Sequence, residues 1–90
     1  MEFPIELPVP DSSDRIVLDD YMTSVSTGGN LARLDASGAE LWRALPVGDI
    51  QDAWVNVAIE GPRLRAATWA GWSVVLDIAT GAEISRLFAK

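Results

Sequence analysis

The sequence predicts an all-β protein in which two four-stranded antiparallel meander sheets pack as a small sandwich or an incomplete propeller. Short apolar runs separated by turn signals predict eight strands, since strands of this length and spacing are typical of all-β folds. Residues 53–60 alternate with a period of two, which favours a strand over a helix. One segment also occurs twice in the chain, and a period near 40 residues with about four strands per unit indicates a repeated β architecture.

The first 14 residues predict an extended, proline-rich arm. Pro4, Pro8 and Pro10 fix φ and push the residues before them towards extended conformations. The apolar residues of the arm occupy odd positions, so they share one side of an extended chain. Two placements stay open: the arm covers the core of its own chain, or it crosses to a neighbouring subunit.

The rest of the chain predicts two four-stranded units, residues 15–46 and 50–90, within a single domain. The predicted strands are residues 15–19, 21–26, 31–35, 40–45, 53–60, 64–69, 72–77 and 83–88. Glycine, proline and polar residues separate these runs and predict turns between them. Residues 37–44 have the propensity for a short helix, but their similarity to a later segment favours a hairpin.

That similarity is an internal repeat centred on two turns. An apolar strand ends at Asp35 in the first copy and at Asp77 in the second, and the chain then reaches Gly38 or Gly81. An aspartate carboxylate accepts hydrogen bonds from turn amides, and glycine supplies the positive φ that closes the turn. We therefore assign these four residues as structural turn residues, and we expect Gly81→Val to destabilise the fold.

The two hairpins resemble the quinoprotein-type (PQQ-like) β-propeller repeat, in which Asp, Thr-Gly and an acid or Lys precede an apolar residue and Trp. The first copy matches with Asp35, Gly38, Glu40, Leu41 and Trp42. The second matches with Asp77, Thr80, Gly81, Glu83 and Ile84, and has Ser85 in place of the Trp. The resemblance implies blade-like sheets, and it implies a quinone cofactor at the centre of a large ring.

Two blades are too few for such a ring, because propellers typically need four to eight. We therefore expect no cofactor. The two sheets can pack face to face, or several chains can assemble into a closed ring. In either case strand edges stay exposed and template pairing with other chains, so we expect a homo-oligomer, with a dimer favoured.

Charge and composition exclude several functions. Thirteen acidic and seven basic residues give a net charge of −6, which repels nucleic acid and anionic lipid. The absence of Cys and His excludes disulfides, thiol chemistry, a His-based zinc site and a His general base. No pattern indicates a calcium loop or a catalytic carboxylate pair, so we assign no metal and no catalytic residue. We expect a cytoplasmic protein, since no signal or membrane-spanning segment is recognisable.

Tryptophan and arginine supply the candidate partner-binding residues. Trp54, Trp69 and Trp72 are interpreted as an aromatic platform, with Trp69 and Trp72 facing each other across a tight hairpin. The alternative for these residues is core packing, which we favour for Trp42. Arg63 and Arg65 share one strand face and form a candidate carboxylate or phosphate site, although pairing with the chain's own acids is the more common role of such residues.

Together these features predict a non-enzymatic, acidic protein-binding module with a protein partner that is basic. An immunity or antitoxin-like protein that neutralises a basic toxin is the most concrete form of this hypothesis. Two alternatives stay open. One is a self-assembling structural β-protein. The other is a small-molecule binder or a carboxylate enzyme, which requires a pocket containing Trp54 or Trp69 and an acid with a raised pKa.

Overall fold

A computed structural model describes residues 4–20, 29–46 and 52–88, and in these residues the protein is all-β. The strands are β1 (Ile5–Pro8), β2 (Arg15–Leu18), β3 (Leu31–Leu34), β4 (Glu40–Ala44), β5 (Trp54–Glu60), β6 (Arg63–Thr68), β7 (Trp72–Asp77) and β8 (Glu83–Phe88). They form two four-stranded antiparallel sheets, β1-β2-β3-β4 and β5-β6-β7-β8. Each strand pairs with the next along the chain, which confirms the predicted fold class. In the described part of the chain, no helix has the length and apolar character to cross a membrane.

The predicted arm contributes the first strand. Residues of β1 pair with β2, with Leu7 opposite Ile16 and Pro8 opposite Arg15. Proline is tolerated here because β1 is an edge strand, where a missing N–H breaks no ladder between two neighbours. The first sheet therefore begins at Ile5, ahead of the predicted boundary of the first unit. The strand that the sequence predicts over residues 21–26 lies outside the described residues.

The strand register assigns each side chain to one face of its sheet, since residues directly opposite in an antiparallel pair point the same way. The inward face of the first sheet carries Ile5, Leu7, Ile16, Leu18, Leu31, Arg33, Trp42 and Ala44. The inward face of the second carries Trp54, Val57, Ile59, Leu64, Ala66, Val74 and Leu76. All of these except Arg33 belong to one core or pack against it. Full burial of each large apolar side chain contributes about 1.5–3 kcal/mol, so contact between the sheets is the main source of stability.

The repeat is visible in the hydrogen bonds of two equivalent turns. The Asp35 amide donates to the Ala39 carbonyl at 2.9 Å, and the Asp77 amide donates to the Ala82 carbonyl at 2.8 Å. Each carboxylate also accepts a 2.8 Å bond from the amide two residues on. Gly38 and its equivalent Gly81 have φ of 89° and 76°. The assigned turn residues thus occupy the positions that the sequence predicts for them.

Both hairpins continue in the same way after the turn. The register shifts between Arg33 and Leu34 in the first copy and between Val75 and Leu76 in the second. The returning strand then forms an ion pair between Glu and Arg three residues apart, Glu40 with Arg43 and Glu83 with Arg86, each at 2.8 Å. The two segments are therefore structural copies, offset by 42 residues before the turn and 43 after it.

The two copies of the repeat, β3–β4 and β7–β8, face the core with opposite sides of their sheets. Leu34 and Leu76 are equivalent, but Leu34 points away from the second sheet whereas Leu76 points into the core and is buried. Conversely, Arg33 points inward and its equivalent Val75 points outward. The inward face of the first sheet is thus the counterpart of the outward face of the second. A two-fold symmetric sandwich would instead bring equivalent faces together.

Candidate functional site

Trp54 belongs to the core and offers no surface to a partner. Only 1% of it is exposed. Its indole Nε1 donates to the Ala44 carbonyl of the first sheet at 3.0 Å. For this member of the predicted platform, the structure therefore supports the core alternative, in which a buried indole finds a hydrogen-bond acceptor.

Asn30, which the sequence analysis did not single out, holds the backbone of Trp54. The Asn30 side chain is buried, accepts from the Trp54 amide at 2.9 Å and donates to the Trp54 carbonyl at 2.8 Å. It also donates to the Asp19 carbonyl at 2.7 Å. One amide group therefore bridges the β2–β3 connection and the start of β5. The only sequence signal is a polar residue beside an apolar strand, which ordinarily indicates a turn.

Trp69 is exposed at one end of the second sheet, and Trp72 beside it is half-buried and packs against the core. Trp69 lies in the turn between β6 and β7 and is 77% exposed. Asp52 fixes this turn, since its carboxylate accepts a 3.0 Å bond from the Ala70 amide. Trp72 packs edge-on against Phe88, with ring centroids 5.0 Å apart. The ring contact is therefore between Trp72 and Phe88 rather than the expected one between Trp69 and Trp72. We call Trp69, Trp72 and Phe88 the aromatic patch.

The charge beside this patch comes from Arg86, which also lies on β8. Its guanidinium lies 5.4 Å from the centroid of the Trp72 ring, at cation–π distance. The same guanidinium pairs with Glu83. Arg86 is therefore held by a ring and a carboxylate.

Strand β8 is an exposed edge. All six of its residues are exposed, and among the described residues it pairs with β7 alone. Its apolar members are accessible: Ile84 is 45% exposed, Leu87 68% and Phe88 51%. Proteins usually protect such edges with charge, proline or a cover, because the unpaired N–H and C=O groups template another strand. Three of the six residues of this edge are apolar and exposed, so β8 is a candidate docking surface.

Arg63 and Arg65 are exposed on the outward face of β6, as their spacing predicts. Arg65 forms a 3.0 Å ion pair with Glu60 on β5. This hydrogen bond lowers the pKa of Glu60 and raises the pKa of Arg65. Arg63 lies opposite Glu60 on one side and Asp77 on the other. The two guanidinium groups therefore lie among the chain's own acids, the more common of the two roles considered from the sequence.

An open cleft of about 510 Å³ lies between the β1–β2 turn and residues 61–62, and Arg33 and Ile78 are part of its lining. The Arg33 guanidinium is already engaged there. It pairs with Asp14 at 2.7 Å and donates to the Ile78 carbonyl at 2.9 Å. Trp42 Nε1 donates to the same carbonyl at 3.0 Å. Arg33 thus ties the β1–β2 turn of the first sheet to the end of β7 in the second.

Two depressions on the described surface bear on the Trp-lined small-molecule site. Neither the cleft nor a smaller depression of about 120 Å³ on the second sheet is lined by a tryptophan. The carboxyl pKa values that are shifted, those of Asp35 and Glu60, are both lowered. The cause for Asp35 is chiefly the hydrogen bond from the Ser37 hydroxyl. A general acid needs a shift in the opposite direction.

The family described as Domain of unknown function (DUF7957) matches residues 8–88, which include strands β2 to β8. No curated protein and no solved structure matches the chain. The surface geometry therefore carries the functional argument, and its two distinctive features are the β8 edge and the aromatic patch beside it.

Proposed function

The chain belongs to the DUF7957 family of domains of unknown function, and we propose that it is a non-enzymatic protein-binding module that pairs an extended segment of another protein along β8. In such pairing the main chain supplies hydrogen bonds, and side-chain anchors supply specificity. The open edge of β8, with its three exposed apolar residues, is the single observation that carries the proposal.

The aromatic patch supplies the anchors. Tryptophan is enriched among the residues that dominate binding energy at interfaces. Trp69 is mostly exposed, so a partner can desolvate it without disturbing the core. Trp72 and Phe88 are register partners on β7 and β8, so they lie directly beside the edge that receives the partner strand.

The charge of the chain favours a basic partner. The net charge of −6 acts over longer distances and accelerates encounter with a positive surface. An immunity or antitoxin-like role in the cytoplasm, against a basic toxin, is the concrete form that we propose. The blade-like likeness to the PQQ-like repeat is compatible with this role, because β8, the last strand of the second sheet, is exposed along its length.

Affinity capture from an extract of the source cells tests the proposal, with the captured partner then titrated against variants. Trp69→Ala removes a 77% exposed side chain and Ile84→Lys places a charge on the β8 edge. We expect each to weaken binding at least tenfold, or about 1.4 kcal/mol, with unchanged thermal stability.

Leu45→Lys is the matched control, because Leu45 is 68% exposed and follows β4 rather than β8. We expect it to bind like the wild type. If the partner binds all three variants with wild-type affinity, the β8 edge is not the docking surface. Amide hydrogen exchange adds a second readout, since pairing along β8 protects its amides in the complex.

A further inference from the structure

The four edge strands of the two sheets differ in how the chain protects them. Large apolar side chains that are exposed number three on β8 and one, Leu41, on β4, whereas β1 and β5 carry none. Pro8 withholds an N–H from the edge of β1. Asn30 binds both the amide and the carbonyl of Trp54 at the start of β5. Within the described part of the chain, β8 is therefore the edge best suited to receive a further strand.

The first sheet leaves room beside β8. Arg86 and Phe88 lie opposite Val74 and Trp72 of β7, on the side of the second sheet that faces the core. Val74 is fully buried there, yet Phe88 on the same side is 51% exposed. The cover that the first sheet provides thus reaches β7 and stops short of β8. A strand added along β8 displaces none of this cover.

The sequence of β8 is complementary to itself in one antiparallel register. Two copies related by a two-fold axis perpendicular to the sheet pair residues from the same side, so one residue lies opposite its own copy. With Arg86 at the axis, Ile84 lies opposite Phe88 of the second copy, and Ser85 lies opposite Leu87. An axis at Ser85 instead places Ile84 opposite Arg86, and an axis at Leu87 places Phe88 opposite Arg86. The register centred on Arg86 is therefore the one that pairs Ile84 with Phe88, and aromatic side chains pair well with β-branched ones.

We propose that, when no partner is bound, a second copy of this chain occupies the β8 edge, with the two β8 strands antiparallel and Arg86 at the two-fold axis. The second sheets of the two copies then form one sheet of eight strands. This inference rests on the proposed function, because the dimer covers the edge that the partner strand needs. The dimer is thus a resting form that the partner must dissociate.

The contact is weak enough for a partner to replace. Six residues of strand span about 20 Å, so their pairing buries less area than the roughly 1,200–2,000 Å² of standard stable interfaces. Arg86 also meets its own copy, and like charges directly opposite each other are unfavourable. Each Arg86 is nevertheless paired with Glu83 at 2.8 Å and lies 5.4 Å from the Trp72 ring centroid, which reduces this repulsion. We therefore expect a dimer that dissociates on dilution.

Cysteine cross-linking of the full chain tests the register, because the natural sequence contains no cysteine. Residues directly opposite in an antiparallel pair have Cα atoms about 4.5–5.5 Å apart, within the span of a disulfide. Ser85→Cys mixed with Leu87→Cys therefore yields a mixed disulfide dimer under mild oxidation. Either variant alone forms little disulfide, since each residue lies about 8 Å from its own copy. Ser85→Cys mixed with Leu45→Cys is the control, because Leu45 and Leu87 are both 68% exposed.

The yields of these three mixtures decide between registers. A mixed disulfide at least tenfold above the Leu45 control supports the proposal. A yield equal to that control overturns it. A variant that cross-links mainly with itself also overturns it, because the axis then passes beside Ser85 or Leu87 and not beside Arg86.

Sedimentation equilibrium of the wild type tests the dimer without cysteines. We expect a reversible dimer, and a dissociation constant at least tenfold higher in Ile84→Lys, which places a charge opposite Phe88. A wild type that is monomeric at millimolar concentration overturns the inference, and if this monomer captures the partner through β8, the proposed function stands without it.

The cross-linked mixed dimer tests whether the second copy covers the partner site. We expect it to capture none of the partner until the disulfide is reduced. Capture by the unreduced dimer at the wild-type level overturns the resting role, and it also moves the partner site away from β8.

Discussion

Replacing Gly81 by alanine tests how the first sheet is anchored beneath the second. Gly81 has φ of 76°, and a Cβ at this position would lie 2.6 Å from two atoms of the Trp42 ring. Gly38 provides the matched control, because it has φ of 89° in the equivalent turn and open space around its Cβ position. The two substitutions therefore share the backbone strain and differ in the contact with Trp42.

The expected losses follow from these two contributions. Alanine in the left-handed region costs about 1–2 kcal/mol at either site. Overpacking against a buried ring adds about 1–3 kcal/mol at Gly81 alone. We therefore expect Gly38→Ala to lower the free energy of unfolding by about 1–2 kcal/mol and Gly81→Ala by about 2–5 kcal/mol.

Urea unfolding of the two variants measures this difference, with thermal unfolding as the second probe. In a domain of this size, each kcal/mol corresponds to about 4–8 °C in Tm. A double-mutant cycle with Trp42→Leu isolates the pair, and we expect a coupling of about 1–3 kcal/mol between Trp42 and the residue at position 81. Equal losses at the two glycines, together with no coupling, would refute the packing of Trp42 beneath the β7–β8 turn.

Two further outcomes follow from polar groups that the fold positions. Asn30→Ala leaves the amide and carbonyl of Trp54 without hydrogen-bond partners in the core. We therefore expect the free energy of unfolding in urea to fall by about 2–4 kcal/mol. Asn56→Ala, at an exposed site, is the control and lowers it by less than about 0.5 kcal/mol. A loss as small as the Asn56 control would contradict the bridging role. Folding lowers the pKa of Asp35, chiefly through the hydrogen bond from the Ser37 hydroxyl. The stability that this turn contributes is therefore complete above the ordinary carboxyl pKa, and it is lost as pH falls through the lowered pKa. Asp35→Asn therefore shows a smaller fall in Tm than the wild type between about pH 6 and pH 2, and parallel profiles would count against this reasoning.

The hairpin at each repeat could be predicted from the sequence because its determinants are local. Asp35 and Gly38 lie within four residues of each other, and their roles depend on turn amides and on φ rather than on distant partners. The same holds for Asp77 and Gly81. Seven of the eight predicted runs correspond to strands within a residue or two of the predicted bounds, since alternation and turn residues mark them in the chain itself.

The remaining features depend on contacts between the sheets, which local patterns do not encode. Trp54 fits the alternating pattern of β5 without standing out in it. Only the stacking of the sheets brings its indole N–H to the Ala44 carbonyl. Asn30 gains its role from a strand that begins 24 residues later. Residues 5–8 resemble an extended arm because Pro4, Pro8 and Pro10 lie in or near them. Their pairing with β2 depends on an edge that tolerates Pro8.

The stacking of the two sheets through unlike faces is the central structural claim, because it places Trp42 beneath the β7–β8 turn. A nuclear Overhauser effect experiment on the wild-type chain measures it directly through the Trp42 indole. The structure predicts cross-peaks from the ring protons to the α-protons of Gly81, with the indole N–H protected by its bond to the Ile78 carbonyl. Cross-peaks within one chain from Trp42 to Val75 or Ser85, in place of those to Gly81, would mean that the sheets meet through equivalent faces.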